Sequence, residues 1–220
     1  MIMSWISWIP PLLENPKPQT LAGEPRIVVM LHGTGSEPGV FRHLAHALNG
    51  YGVPALALTY GRRATRDLDE CLRELEQRLL PLMEGGRRID IVGHSLGGLM
   101  ALRLARVLPP GSITTIVGLG AAWRGTPWTR HRLLRRHILG ESFVQVQTRT
   151  PFPDDIPPDV EIVSIVSDAD SVVPAWSSRL GRVIEVHGVR HNALPRRIPE
   201  ILRALGLVSG SPVRPGPVQS

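Results

Sequence analysis

Residues 88–98 read Arg-Ile-Asp-Ile-Val-Gly-His-Ser-Leu-Gly-Gly. Arg88 to Val92 is a short, mostly apolar run that suits a strand buried on both faces. Leu96 to Leu108 carries apolar residues at helical spacing until Pro109-Pro110-Gly111 stops it. Between them Gly93, Ser95 and Gly97 alternate, with Gly98 behind. A serine at a strand-to-helix junction is held in a strained turn, where strand and helix approach too closely for a Cβ on either flank. Such a turn lifts the hydroxyl out of the sheet and sets it over the N-terminus of the helix, with its positive potential and free N–H groups. The bland alternative is a glycine-rich turn with an idle serine, so the rest of the chain must decide.

Upstream, Arg26 to Leu31 is a second buried-strand run, ending in the glycine-rich His32-Gly-Thr-Gly-Ser36. Val40 to Leu48 then has helical spacing, and Val53 to Leu58 reads as a strand that Pro54 confines to an edge or to its first residues. Leu68, Cys71, Leu72, Leu75, Leu79 and Leu82 form the clearest amphipathic helix, with Cys71 as a small core residue on its apolar stripe. Downstream, Ser112–Leu119, Val160–Val166 and Arg182–Val186 are strand-like, and Pro195 to Leu205 reads as a closing helix. Alternation of this kind predicts an α/β fold: a mainly parallel central sheet with helices on both faces, in one domain over 26–208. Residues 1–25 form an N-terminal extension and 209–220 a flexible Pro/Gly/Ser tail. The alternation lapses over 121–159, with one short helical candidate at Arg132–Leu139. This insertion is placed to form a lid or pocket wall.

A serine is no nucleophile at neutral pH without a base, and the base needs an orienting carboxylate. In this architecture acid and then histidine should follow the serine, each past the end of a later strand. The chain offers Asp168 and Asp170 in one loop, then His187 and His191. His191 lies in the loop beyond the last strand, where an imidazole can swing toward Ser95. His187, at the strand end, is expected in packing or in backbone hydrogen bonds. Asp168 and Asp170 are not separable by position alone. An oxyanion needs two donors: the N–H of Leu96 by geometry, and an amide from the turn after the first strand, for which Thr34 is chosen. His32 at the head of that turn is more often a structural hydrogen-bonder, and a phosphate-loop reading fails for want of the lysine.

The chain has 220 residues, 42% hydrophobic and 20% charged, as in an ordinary soluble protein. Its net charge of +6 is nearly all arginine, Lys17 being the only lysine. The arginines are scattered through helices rather than gathered in a tract with aromatics, so no nucleic-acid partner is expected. The apolar start lacks a basic n-region and an Ala-x-Ala site, so a cytoplasmic protein without a signal peptide is expected. Trp5, Ile6, Trp8 and Ile9 are read as packing on the domain, with peripheral contact to a lipid surface as the second reading.

With these pieces assembled, the sequence resembles the α/β-hydrolase superfamily, and within it the small bacterial lipases and esterases. The motifs are "HGTGS", "GHSLGG", "SDADSVVP" and "GVRHNAL", in the expected order from about Arg26 to Leu205. The family's Asp-x-Val-Val-Pro pattern matches Asp170–Pro174, which favours Asp170 as the acid, and its Gly-x-x-His pattern matches Gly188–His191. The resemblance implies a serine carboxylic-ester hydrolase acting through an acyl-enzyme with the triad Ser95, Asp170 and His191, with no metal or organic cofactor. It implies a small ester or lipid substrate in a pocket bordered by Gly125, Thr126, Pro127 and Trp128, with His32, Gly33 and Trp123 nearby. The insertion is short for a full interfacial lid. Acyl transfer, thioester cleavage or amide cleavage would use the same triad. A binding module on the same scaffold is the non-enzymatic alternative.

Overall fold

The computed structural model describes residues 21, 23–126, 140–148 and 156–208. The readings of the Trp-rich start, of a helix at 132–139 and of the tail at 209–220 fall outside these residues. Six strands, β1 (Arg26–Leu31), β2 (Ala55–Leu58), β3 (Arg88–His94), β4 (Ile113–Leu119), β5 (Glu161–Ser167) and β6 (Arg182–Val186), form one sheet in the order β2-β1-β3-β4-β5-β6. Every neighbouring pair is parallel. Among the described residues, the helices of seven residues or more that accompany it are α1 (Arg42–Gly50), α2 (Leu68–Leu79), α3 (Leu96–Val107), α4 (Glu141–Thr148) and α5 (Ile198–Ala204).

Side chains alternate across a strand, so one apolar run feeds two cores. Ile27, Val29 and Leu31 of β1 join the cluster that holds Leu75 and Leu79 of α2 and Leu99 and Leu102 of α3. Val28 and Met30 point the other way, into the cluster with Leu44 and Leu48 of α1 and Ile201 and Leu202 of α5. The helices therefore cover both faces, as the uniformly apolar strands require. Pro54 precedes edge strand β2 and gives its carbonyl to Val28 N–H at 2.9 Å. Cys71 is buried in the first cluster, and burial pushes its thiol up to about 12, so it serves as core.

Two boundaries differ from the periodicity. Val40 belongs to a 3-10 turn, Pro38–Phe41, ahead of α1. The amphipathic stripe of α2 ends at Leu79, where Pro81 turns the chain into the irregular segment Leu80–Gly86. Leu21, the last described residue before β1 but for 23–25, is buried in the first core, and its carbonyl accepts from Arg87 Nη2 at 2.7 Å.

A buried charge ties the sheet together. Asp90 of β3 is 1% exposed and receives Arg26 Nε of β1 at 2.5 Å and the Thr114 hydroxyl at 2.8 Å. Thr114 is the residue left over where the β3–β4 register shifts, since Ile89 pairs with Ile113 and Asp90 with Thr115. The same Arg26 donates to Leu205 O at 2.7 Å.

From β1 the chain runs outward to β2 and then returns past β1 to β3. The strand order reverses there, and a crevice opens beyond the carboxyl ends of such strands. The turn after β1 and the Ser95 turn after β3 flank that point.

Candidate active site

Ser95 holds φ 54° and ψ −118°, a conformation that costs a non-glycine residue on the order of 1–3 kcal/mol. Its neighbours explain how the strain is held. The Ser95 N–H donates to Leu119 O at 3.1 Å, and its carbonyl accepts from Gly98 N at 3.2 Å and Ala122 N at 3.3 Å. A Cβ on Gly93 would fall on the Gly97 and Gly98 backbone, and one on Gly97 would fall on Leu31 O. One on Gly98 would fall on Ala121 Cβ. All three glycines are thus steric requirements of the turn. Leu96 is the first residue of α3, so its N–H has no acceptor within the helix.

On the far side, Gly33 packs so close to Ser95 that a Cβ there would stand 3.0 Å from Ser95 Cβ. In the same turn, Gly35 N–H is given to Arg63 O at 2.8 Å and Ser36 N–H to Gly33 O at 3.1 Å. Thr34, half-buried between them, gives its N–H to no acceptor among the described residues.

Asp170 and His191 form a buried pair: Nδ1 to Oδ2 is 2.7 Å, with side-chain exposures of 7% for His191 and 2% for Asp170. The other carboxylate oxygen accepts from Val172 N at 2.8 Å and Val173 N at 2.9 Å. Burial works to raise the Asp170 pKa. The His191 hydrogen bond and charge, with the two amides, outweigh it and hold the carboxyl below the usual range. Room for the pair comes from Gly120, at φ +51° just past β4. A Cβ there would lie 2.6 Å from Asp170 Oδ2 and 3.2 Å from His191 Nδ1. Sequence reading missed this glycine; its position one residue beyond a strand end was the available signal.

Asp168 and His187 pair with each other instead, Nδ1 to Oδ2 at 2.9 Å, on the surface with exposures of 60% and 78%. The sequence reading placed His187 in packing or in backbone hydrogen bonds; its ring is in neither. It lies at the edge, where its partner is an exposed carboxylate.

His94 is a second residue that the sequence did not single out. It is 5% exposed, its Nε2 lies 3.1 Å from His191 O, and the two rings are 4.6 Å apart. A carbonyl only accepts, so Nε2 carries the proton and Nδ1 is an acceptor, buried with no partner among the described residues. Burial first, and then the His191 charge, depress its pKa to about 3.

Three of the expected pocket residues are placed otherwise. His32 is fully buried, stacked on Tyr60 at 4.8 Å, with Nδ1 2.9 Å from Gly33 O; burial lowers its pKa to about 4. Trp123 is fully buried too, and its indole N–H donates to Ser164 Oγ at 3.0 Å. Its ring fills the slot left by Gly118 in β4, where a Cβ would collide with it. Gly125 is buried, its carbonyl accepting from Ser177 Oγ at 2.5 Å. Thr126 is half-buried, while Pro127 and Trp128 lie outside the described residues. A cavity of about 400 Å³ runs along the histidine turn, lined by Gly188, Val189, Arg190, Ala193, Arg196 and Arg197, and does not include Ser95. Among the described residues no cluster of three or more His, Cys, Asp or Glu could hold a metal, and no helix is long and apolar enough to cross a membrane.

Comparison with known proteins agrees with this arrangement at the level of the fold. No curated protein matches the sequence. Solved structures do. The RedJ thioesterase of the prodiginine pathway in Streptomyces coelicolor superposes with a TM-score of 0.66 at 15% identity, over 88% of this chain and 90% of its own. ClbQ of the colibactin NRPS/PKS pathway gives 0.62 at 15% identity, over 82% and 97%. The monoacylglycerol lipase of Paleococcus ferrophilus gives 0.58 at 20% identity, over 81% and 91%. A family model, described as the alpha/beta hydrolase family, matches residues 28–219. With that match over most of its length, the chain belongs to the alpha/beta hydrolase family.

Proposed function

We propose that the protein is a serine hydrolase of carboxylic esters working through an acyl-enzyme. The observation that carries this reading is the buried 2.7 Å contact between Asp170 and the Nδ1 of His191. A carboxylate there requires the proton on Nδ1 and leaves Nε2 as the base. Ser95, raised by its turn at the same carboxyl end of the strands, supplies the hydroxyl that such a base activates.

In the first half-reaction His191 Nε2 takes the proton from Ser95 Oγ as the oxygen attacks the ester carbonyl. The Asp170 carboxylate stabilises the imidazolium that forms. The developing oxyanion lies against the amides of Leu96 and Thr34, at the positive end of α3. His191 then gives its proton to the leaving alcohol. Deacylation repeats the sequence with water as nucleophile and regenerates the free serine. None of these steps calls on a metal or organic cofactor.

The test is Ser95→Ala, assayed on a panel of short-chain ester, thioester and amide substrates. Hydrolysis of the best substrate is expected to fall on the order of 10⁴-fold or more while the far-UV spectrum is unchanged. Retained turnover by the purified variant would remove Ser95 from the reaction. The panel itself decides between ester and thioester cleavage, since both use the same groups.

A further inference from the structure

Residues Gly61, Arg62, Arg63 and Ala64 all have positive φ, at 54°, 49°, 66° and 55°. They make one turn of left-handed helix. Gly61 is free to do this, but a left-handed conformation costs each of the other three roughly 1–2 kcal/mol. Strain of this kind persists only where the surroundings over-determine it. The surroundings here come from two directions.

On one side lies the turn after β1. The Tyr60 hydroxyl donates to His32 O at 2.7 Å, and Gly35 N–H donates to Arg63 O at 2.8 Å. The Arg63 guanidinium lies 2.9 Å from the Glu37 carboxylate. These contacts bracket Thr34, the proposed oxyanion donor. On the other side lies the start of α4. The fully buried Ser142 hydroxyl donates to Ala64 O at 2.6 Å, and Glu141 N–H donates to Thr65 O at 2.8 Å. Gly140, at φ +85°, packs so tightly on Thr65 that a Cβ would strike it. Three residues beyond Ser142, Gln145 takes the Leu68 N–H at 2.8 Å and donates to the Asp67 carboxylate at 2.5 Å, holding α4 against the start of α2.

We propose that the left-handed turn Gly61–Ala64 is a positioning element, which ties the seating of α4 to the geometry of the Thr34 amide. Ser142 acts through it: with its hydrogen bond gone, the strained turn relaxes and Arg63 O leaves Gly35. The coupling to catalysis rests on the reading of Thr34 as an oxyanion donor, whereas the mechanical coupling between α4 and Gly35 does not.

The experiment is Ser142→Ala in the full chain, followed by amide hydrogen exchange and by steady-state kinetics on the best substrate of the panel. Gly35 is expected to exchange about tenfold faster or more, with the Ile165 amide in β5 unchanged. kcat is expected to fall about tenfold with KM within about twofold, because a displaced donor is felt in the transition state. Unchanged Gly35 exchange overturns the proposal, and so does faster exchange with an unchanged kcat. If the variant does not fold, native-state exchange of the wild type in low denaturant decides. Gly35 and Glu141 opening together, with one free energy and one denaturant slope, supports the coupling; Glu141 opening while Gly35 stays protected overturns it. A wild type inactive on every substrate removes the hydrolase reading alone and leaves the exchange results to decide the coupling.

Discussion

Asp168 and Asp170 share one loop after β5, and only their surroundings separate them. Asp170 is enclosed, with one oxygen on His191 and the other on two amides. Asp168 is exposed, and its contacts to His187 and Gly188 are washed by water. Solvent screens exposed pairs of this type, so this one adds little to stability. Asp170→Asn is therefore expected to lower kcat about 10³-fold or more, because an amide facing Nδ1 no longer fixes the tautomer that leaves Nε2 basic. Asp168→Asn is expected to leave kcat within about twofold. Kinetics on the two purified variants check this, and equal losses would refute the assignment. The Asp-x-Val-Val-Pro resemblance favoured Asp170, but position along the chain could not separate the two, since burial two residues apart in one loop is set by what packs over the loop. Here the room is made by Gly120, 50 residues away. Trp123 failed to be legible for a similar reason: its slot is the missing side chain of Gly118 on β4, which no local pattern announces. Ser95 and Gly93 were readable because their constraint is local, Gly93 lying against the Gly97 and Gly98 backbone at the start of the helix, whereas Gly97 and Gly98 also answer to Leu31 and Ala121 on neighbouring segments.

The strands and the long amphipathic helices followed from periodicity because their partner is the whole core. Elements that answer to a few particular contacts did not. Helix α4 escaped notice: Glu141–Thr148 mixes Phe143, Val144 and Val146 with Gln145 and Gln147, and its seat is a set of hydrogen bonds to Ala64, Thr65, Asp67 and Leu68. The left-handed turn is less legible still, since only Gly61 suits it and three ordinary residues are forced to follow. That misfit yields a stability test. Arg62 is exposed at φ 49°, ψ 63°, and its carbonyl takes the Thr65 hydroxyl at 2.7 Å. Glycine at 62 keeps the carbonyl in place and removes the left-handed cost, at the expense of extra freedom in the unfolded chain. Arg62→Gly is expected to stabilise the protein by about 0.5–1 kcal/mol in urea unfolding, and Arg62→Val to destabilise it. A destabilised glycine variant would mean that the Arg62 side chain, not the backbone, is what the fold needs there.

Two imidazoles buried in a strongly basic protein give the entire fold a defined response to acid. His32 and His94 are held neutral, with pKa values depressed to about 4 and about 3 by burial. In the unfolded chain both return to about 6.5. Between those values the unfolded state binds protons that the native state refuses, so it gains on the native state as pH falls. Stability from these rings is complete above about pH 6.5, declines through the window down to about 4, and levels off only below their folded values. The slope reaches about 1.4 kcal/mol per pH unit for each ring, or nearly twice that for both. Asp170 adds to the loss only lower down, since its folded pKa lies below the ordinary carboxylate value and its stabilisation disappears as pH drops through that range. The direction agrees with the charge of the molecule, already +6 at pH 7, whose self-repulsion grows with every proton taken up. Urea midpoints measured from pH 8 to pH 4 should hold steady to about 6.5 and then fall steeply. His94→Gln should flatten the fall by about half, because one of the two refused protons is gone. A midpoint flat from pH 7 to pH 5 would mean that both rings accept protons in the native state. Burial of His94 beside the His191 ring would then not be enough to keep it neutral.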